Sequence, residues 1–198
     1  LYSRVVKYLN PSNDAVLHSA SLFLANTIVH VSDSKIRALS FCLLLPVIYS
    51  SLRISDNLDR QTTEEILHLM TSAQLGGTLP NIISNFIQIH ESSSSFIDEI
   101  IKDLYVNHLS DIELIGQYYA QMCEQFDDSS AVFDIALSLF KVSDKEWFIE
   151  NFMGVVRAAC KQKATKGLDL IAAITESYRG AMFTWKGILT STNDLSFD

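Results

Sequence analysis

Apolar residues recur at helical spacing along most of the chain. After Ser110 they lie three and four residues apart, which places one apolar stripe on one side of a helix: Ile112, Leu114, Ile115, Tyr118, Tyr119, Met122, Cys123 and Phe126. No segment alternates strictly between apolar and polar residues, and no Asn-Gly or Asp-Gly hairpin turn occurs, so strands are not predicted. The pattern predicts an all-α fold of about ten helices, at 2–9, 13–31, 34–53, 63–75, 80–90, 95–108, 111–126, 130–141, 144–162 and 167–189.

Capping boxes mark three of the predicted helix starts. In this motif a hydroxyl accepts a hydrogen bond from a free backbone N–H, and an acid three residues later bonds back. The matching pairs are Thr62 with Glu65, Ser110 with Glu113, and Ser143 with Glu146. Asp33 or Ser34, and Ser129 or Ser130, are weaker starts of the same kind. Pro46 lies inside the helix predicted at 34–53 and is expected to kink or split it.

The spacing of helix starts carries information about architecture. Starts at Thr78, Ser110 and Ser143 lie 32 and 33 residues apart, with another start inside each interval. Helix pairs that repeat every 30 to 45 residues or so are typical of stacked α-solenoids. Over residues 12–160 the chain resembles the HEAT and armadillo class of helical repeats, and the resemblance implies an irregular stack of helical hairpins. Spacing is uneven in the first half, so an irregular helical bundle is the alternative.

Composition restricts the class of protein and the cellular compartment that we expect. The chain has 198 residues, of which 48% are hydrophobic, with 7 Gly and 3 Pro, which excludes collagen-like and low-complexity classes. We expect one domain at 1–190 and a polar tail or linker at 191–198; the first residue is Leu1, so a fragment of a larger chain is expected.

Three cysteines without paired spacing favour a reducing, intracellular setting, cytoplasm or nucleus. The longest uncharged apolar stretch, 38–52, is too short to cross a membrane, so no membrane partner is predicted.

Charge is divided by region. The net charge is −8: residues 1–53 carry +3, residues 54–156 carry −13 and residues 157–198 carry +2. The acidic middle predicts either a solvated face or a surface on which a basic protein segment docks. A basic cluster follows near the end of the helix predicted at 144–162, where cations are favoured electrostatically and could also contact phosphate. Its members are Arg157, Lys161, Lys163 and Lys166.

Motifs for catalysis, metal binding and nucleotide binding are absent from the sequence. Glu65 and His68 have a di-iron spacing, but no second pair accompanies them, so no metal or cofactor is predicted. Aromatic residues and arginine are enriched at protein interfaces, which makes six residues candidates for partner binding: Tyr118, Tyr119, Tyr178, Arg179, Phe183 and Trp185. We therefore expect a non-catalytic protein–protein scaffold within a larger assembly. The alternatives are a chromosome- or RNA-associated subunit that uses the basic cluster, and a helical enzyme or regulator of a nucleotide-binding protein without a local motif.

Overall fold

The described part of the chain is helical. The computed structural model describes residues 1–10, 14–53, 101–102, 105–106, 113–126, 128–162 and 164–178, and within these ranges no strand occurs. The all-α prediction is therefore confirmed. The helices are α1 (Tyr2–Val5), the 3-10 helix η1 (Val6–Tyr8), α2 (Asp14–His30), α3 (Ser34–Arg53), α4 (Ile115–Gln125), α5 (Ser130–Val142), α6 (Lys145–Gln162) and α7 (Thr165–Ser177).

Most predicted boundaries agree with the structure. Helices α2, α3, α5 and α6 begin and end within one residue of the predicted bounds. The helix predicted at 111 begins at Ile115, because residues 113 and 114 form a turn. The helix predicted at 167–189 begins at Thr165 and ends at Ser177. The helices predicted at 63–75 and 80–90 and the tail at 191–198 lie outside the described residues, whereas the described parts of 95–108 are helical.

Aspartates cap the starts of α3 and α6. Asp33 Oδ1 accepts a hydrogen bond from the Ile36 amide at 2.9 Å, and Asp144 Oδ1 accepts one from the Trp147 amide at 2.9 Å. The predicted Ser143–Glu146 capping box is wrong by one residue, because α6 begins at Lys145 and Asp144 is its N-cap. The residues at the other two predicted boxes lie outside the described residues, apart from Glu113, which precedes α4 in a turn.

Helix α3 lies at the centre of the described fold and packs against α2, α4 and α5. Helices α4 and α6 pack on each other, and α7 packs on α5 and α6. Burial of their apolar stripes provides the main favourable free energy of such a core. The fully buried side chains include Leu24, Ile28, Phe41, Leu44, Phe133, Phe148 and Phe152.

Helix α3 runs unbroken from Ser34 to Arg53, so Pro46 does not split it. Proline has no N–H, so the carbonyl of Cys42, four residues earlier, lacks its helical partner. The Tyr119 hydroxyl of α4 donates to that carbonyl at 2.8 Å in the buried interior. The side chain of a neighbouring helix therefore satisfies the oxygen that the proline leaves free.

The N-terminal segment folds back onto α4. The ring of Tyr2 lies edge-on to that of Tyr118, with centroids 5.8 Å apart, and the Tyr2 hydroxyl donates to the Ile36 carbonyl of α3 at 2.8 Å. Asn10 Nδ2 donates to the Gln125 carbonyl at 3.2 Å, across 115 positions of sequence. In a solenoid each repeat contacts only its neighbours, so this return of the chain departs from a regular stack.

Candidate functional site

An open apolar groove lies between the α1–η1 segment and the first half of α2. Its volume is about 460 Å³, and the described residues that line it are Leu1, Arg4, Val5, Tyr8, Val16, Ser19, Ala20 and Phe23. Four large hydrophobic side chains around it are exposed to solvent: Leu1 (81%), Tyr8 (55%), Val16 (36%) and Phe23 (45%). Apolar side chains exposed together around one cavity are the notable property of this site, since single exposed ones are ordinary.

Helix α2 supplies one wall because it has two apolar faces. Leu24 and Ile28 are fully buried in the core. Val16, Ala20 and Phe23 are four and three residues apart, so they share a second face that points into the groove. A small side chain at position 20 between two larger ones leaves a shallow floor with a raised side chain at each end.

The opposite wall is held in place by its own anchors. Val6 and Leu9 are fully buried, and Tyr2 bonds to α3 and packs edge-on against Tyr118 of α4. Leu1 and Tyr8 of the same segment remain exposed at the groove. The wall is thus preorganised, which lowers the entropic cost of binding a ligand there.

The groove carries positive charge at its edge. Among the described residues that line it, Arg4 is the only charged one, and Lys7 of η1 is exposed. Within the described residues the guanidinium of Arg4 forms no hydrogen bond or ion pair. Asp14 is the first residue of α2, and residues 15–32, which include the rest of the helix, contain no Asp or Glu.

The predicted tyrosine pair has a structural role. Tyr119 is 2% exposed and donates to Cys42, so it is not available to a partner, and its prediction as a contact residue is corrected. Tyr118 is half-buried against Tyr2 and so supports the N-terminal segment. The side chains of adjacent helical residues point in different directions, and here both directions are occupied by the protein itself.

The second predicted contact region is described only at its first residue. Tyr178 is half-buried after α7, and its pKa is raised by burial and, to a smaller extent, by the negative charges of Glu146 and Asp144. It packs against the hydrophobic core. Arg179, Phe183 and Trp185 lie outside the described residues. The structure therefore leaves this part of the prediction untested.

The basic cluster is partly used within the fold. Lys166 Nζ of α7 lies 3.1 Å from Asp134 Oδ1 of α5, which is nearly buried. Arg157 and Lys161 are exposed one turn apart on α6. Lys163 lies outside the described residues. In the acidic 54–156 region, residues 54–100 and most of residues 101–112 also lie outside them. The position of Lys166 is therefore explained by an ion pair within the fold and requires no phosphate ligand.

The cysteines show no sign of activation. Burial raises the pKa of the Cys42 thiol, and it raises that of Cys123 to about 12. The pKa of half-buried Cys160 is also raised by burial. A nucleophilic cysteine needs a lowered pKa, so these thiols stay protonated at neutral pH. Within the described residues no group of three His, Cys, Asp or Glu side chains is placed to hold a metal ion.

The groove was not predicted from the sequence, although a signal existed. Val16 and Phe23 lie one position before half-buried Leu17 and fully buried Leu24, so apolar residues cover more than one face of α2. Among the described helices, none has the length and apolar character needed to span a bilayer. No protein-family model, curated protein or solved structure matches this chain.

Proposed function

We propose that this chain is a non-catalytic helical scaffold that binds a protein partner in the groove between α1–η1 and α2. The observation that carries the proposal is the exposure of Tyr8, Val16 and Phe23 around one cavity. Grouped apolar side chains on a protein surface mark interaction sites. They are unfavourable in water, and a partner would remove them from it.

The size of the groove suits a short apolar segment of a partner. Burying one large apolar side chain is worth about 1.5–3 kcal/mol. Part of this is lost to the ordering of the partner and to the loss of its free motion. The buried anchors of Val6 and Leu9 support a rigid receiving surface, so most of the ordering cost falls on the partner.

We also propose the larger architecture that the helix spacing predicted. Helices α4 to α7 pack on their neighbours and next neighbours in the chain, as successive layers of a HEAT/armadillo-like stack do. In this proposal the regular stack is α4 to α7, and the N-terminal segment and α3, which both pack on α4, lie outside it as a cap. The scaffold is a subunit of a larger intracellular assembly, in keeping with its free cysteines.

Affinity capture with matched variants tests the proposal. The purified chain, Phe23→Ser and Leu168→Ser are each used to capture proteins from cell extract at low and moderate salt, with mass spectrometry as the readout. Leu168 is the control because it is an exposed leucine (52%) on α7, an element that takes no part in the groove.

The proposal predicts one near-stoichiometric protein that the wild-type chain and Leu168→Ser retain and Phe23→Ser loses by at least tenfold. Capture of the same protein by all three chains would place the interface elsewhere. Capture of only nucleic-acid-dependent, salt-labile material would favour the exposed Arg157 and Lys161 instead.

A further inference from the structure

We infer that the occupant of the groove is an amphipathic helix of the partner whose apolar stripe is flanked by a carboxylate that faces Arg4. The inference rests on the proposed function and names the chemistry of the partner. It combines the shape of the groove with its charge.

The shape of the groove matches two turns of a helix. Val16 and Phe23 are seven residues apart on α2, which corresponds to about 10 Å along the axis at ~1.5 Å per residue. A partner helix with apolar residues at i, i+3 or i+4, and i+7 has the same repeat. The small side chain of Ala20 between the two ends allows a helix backbone to approach closely.

An extended partner segment is a poorer match. Peptides that bind as strands do so by pairing with an exposed sheet edge. Within the described ranges the chain has no strand that could offer such an edge. The affinity must therefore come from side chains that enter the groove, and a helix presents these on one face.

The positive charge of the groove predicts which residues flank the apolar stripe of the partner helix. Arg4 lines the groove and lacks an ion-pair partner among the described residues, and exposed Lys7 is near it in the chain. Arginine binds a carboxylate through two parallel hydrogen bonds. A basic flank would bring like charges together and leave both cations desolvated, which selects against that partner.

Two synthetic peptides test the inference on the full chain. Both are helical and about 14 residues long, with leucine at i, i+4 and i+7, and they differ only in flanking residues that are Glu in one and Lys in the other. Fluorescence anisotropy measures the dissociation constants at low and moderate salt. The Glu peptide is expected to bind at least tenfold more tightly than the Lys peptide.

Charge variants separate the contact with Arg4 from general attraction. Arg4→Glu is expected to reverse the preference, and Arg4→Gln is expected to bring the two dissociation constants within about threefold of each other. Arg157→Glu makes the same change in net charge on α6, away from the groove, and is expected to retain the preference for the Glu peptide. Circular dichroism verifies that each variant is folded.

The outcomes distinguish this inference from the proposed function. If both peptides bind equally and Phe23→Ser abolishes both, groove docking is supported and the acidic flank is wrong. If neither peptide binds, the helical occupant is wrong, and Phe23-dependent capture of a protein still tests the proposed function separately. If Arg157→Glu and Arg4→Glu lower the affinity equally, the effect is one of net charge and the inference is overturned.

Discussion

At the scale of single residues, the structure shows how one missing N–H determines the place of a distant tyrosine. Pro46 leaves the Cys42 carbonyl without its helical donor, and the Tyr119 hydroxyl supplies one at 2.8 Å. Burial raises the pKa of Tyr119 well above 10.0, so its hydroxyl stays protonated and remains a donor. A sequence reading can recognise the proline, but it cannot show which residue of another helix provides the donor.

Tyr119→Phe is expected to lower the free energy of unfolding by about 1–3 kcal/mol, because a buried carbonyl loses its partner. Pro46→Ala restores an N–H at position 46. In that background the same tyrosine substitution is expected to cost at least about 1 kcal/mol less, as a double-mutant cycle by urea denaturation would show. An equal loss in both backgrounds would contradict the link between the two residues.

The cap of α6 gives a second prediction at this scale. Asp144→Ala is expected to destabilise the protein by about 0.5–2 kcal/mol, since the Trp147 amide loses its acceptor. Ser143→Ala is expected to be neutral or slightly stabilising, because the buried Ser143 hydroxyl has no partner among the described residues. Thermal unfolding measures the stability of both variants. A larger loss of stability in Ser143→Ala than in Asp144→Ala would support the predicted serine capping box instead.

At the scale of helices, the crossing of α4 and α6 depends on small residues. A Cβ on Gly116 would lie 2.0 Å from the carbonyl oxygen of Asn151, so the two helices approach through backbone at this point. A Cβ on Gly154 would lie 2.7 Å from the Cβ of Ala120. The first contact involves backbone that cannot move without its helix, whereas the second involves one methyl group.

Gly116→Ala is therefore expected to destabilise the protein by about 1–3 kcal/mol, although alanine favours an isolated helix by about 1 kcal/mol. Gly154→Ala is expected to cost less, and Gly154→Ala combined with Ala120→Gly is expected to recover most of that loss. Denaturant unfolding measures all three. A Gly116→Ala variant as stable as the wild type would show that the crossing is looser than the structure indicates.

Sequence patterns predicted individual helices better than their assembly. The apolar period and start signals located α2, α3, α5 and α6 within one residue, because these signals are local. The start of α4 was misplaced by four residues, since Glu113 resembles the acid of a capping box but lies in a turn. The return of Asn10 to Gln125 has no local signal, so no periodicity could have predicted it.

At the scale of the whole molecule, the groove exists only because two segments meet. Leu1 and Tyr8 come from the N-terminal segment, and Val16 and Phe23 come from α2. The sequence shows that both segments are apolar, but it does not show which apolar faces remain uncovered after α3 and α4 have packed. Tyr118 and Tyr119 are predicted as partner contacts because aromatic residues are enriched at interfaces, but in the fold they contact Tyr2 and the Cys42 carbonyl.

The central claim is that a protein partner occupies this groove, and site-specific photo-crosslinking tests it most directly. A photoreactive aromatic amino acid replaces Tyr8, which lines the groove and is 55% exposed, or Ala172, an exposed alanine on α7. The partner is expected to crosslink from position 8 and not from position 172, and Phe23→Ser is expected to reduce the crosslink at least tenfold. Equal crosslinking from both positions, or a position-8 crosslink that Phe23→Ser leaves unchanged, would contradict the account.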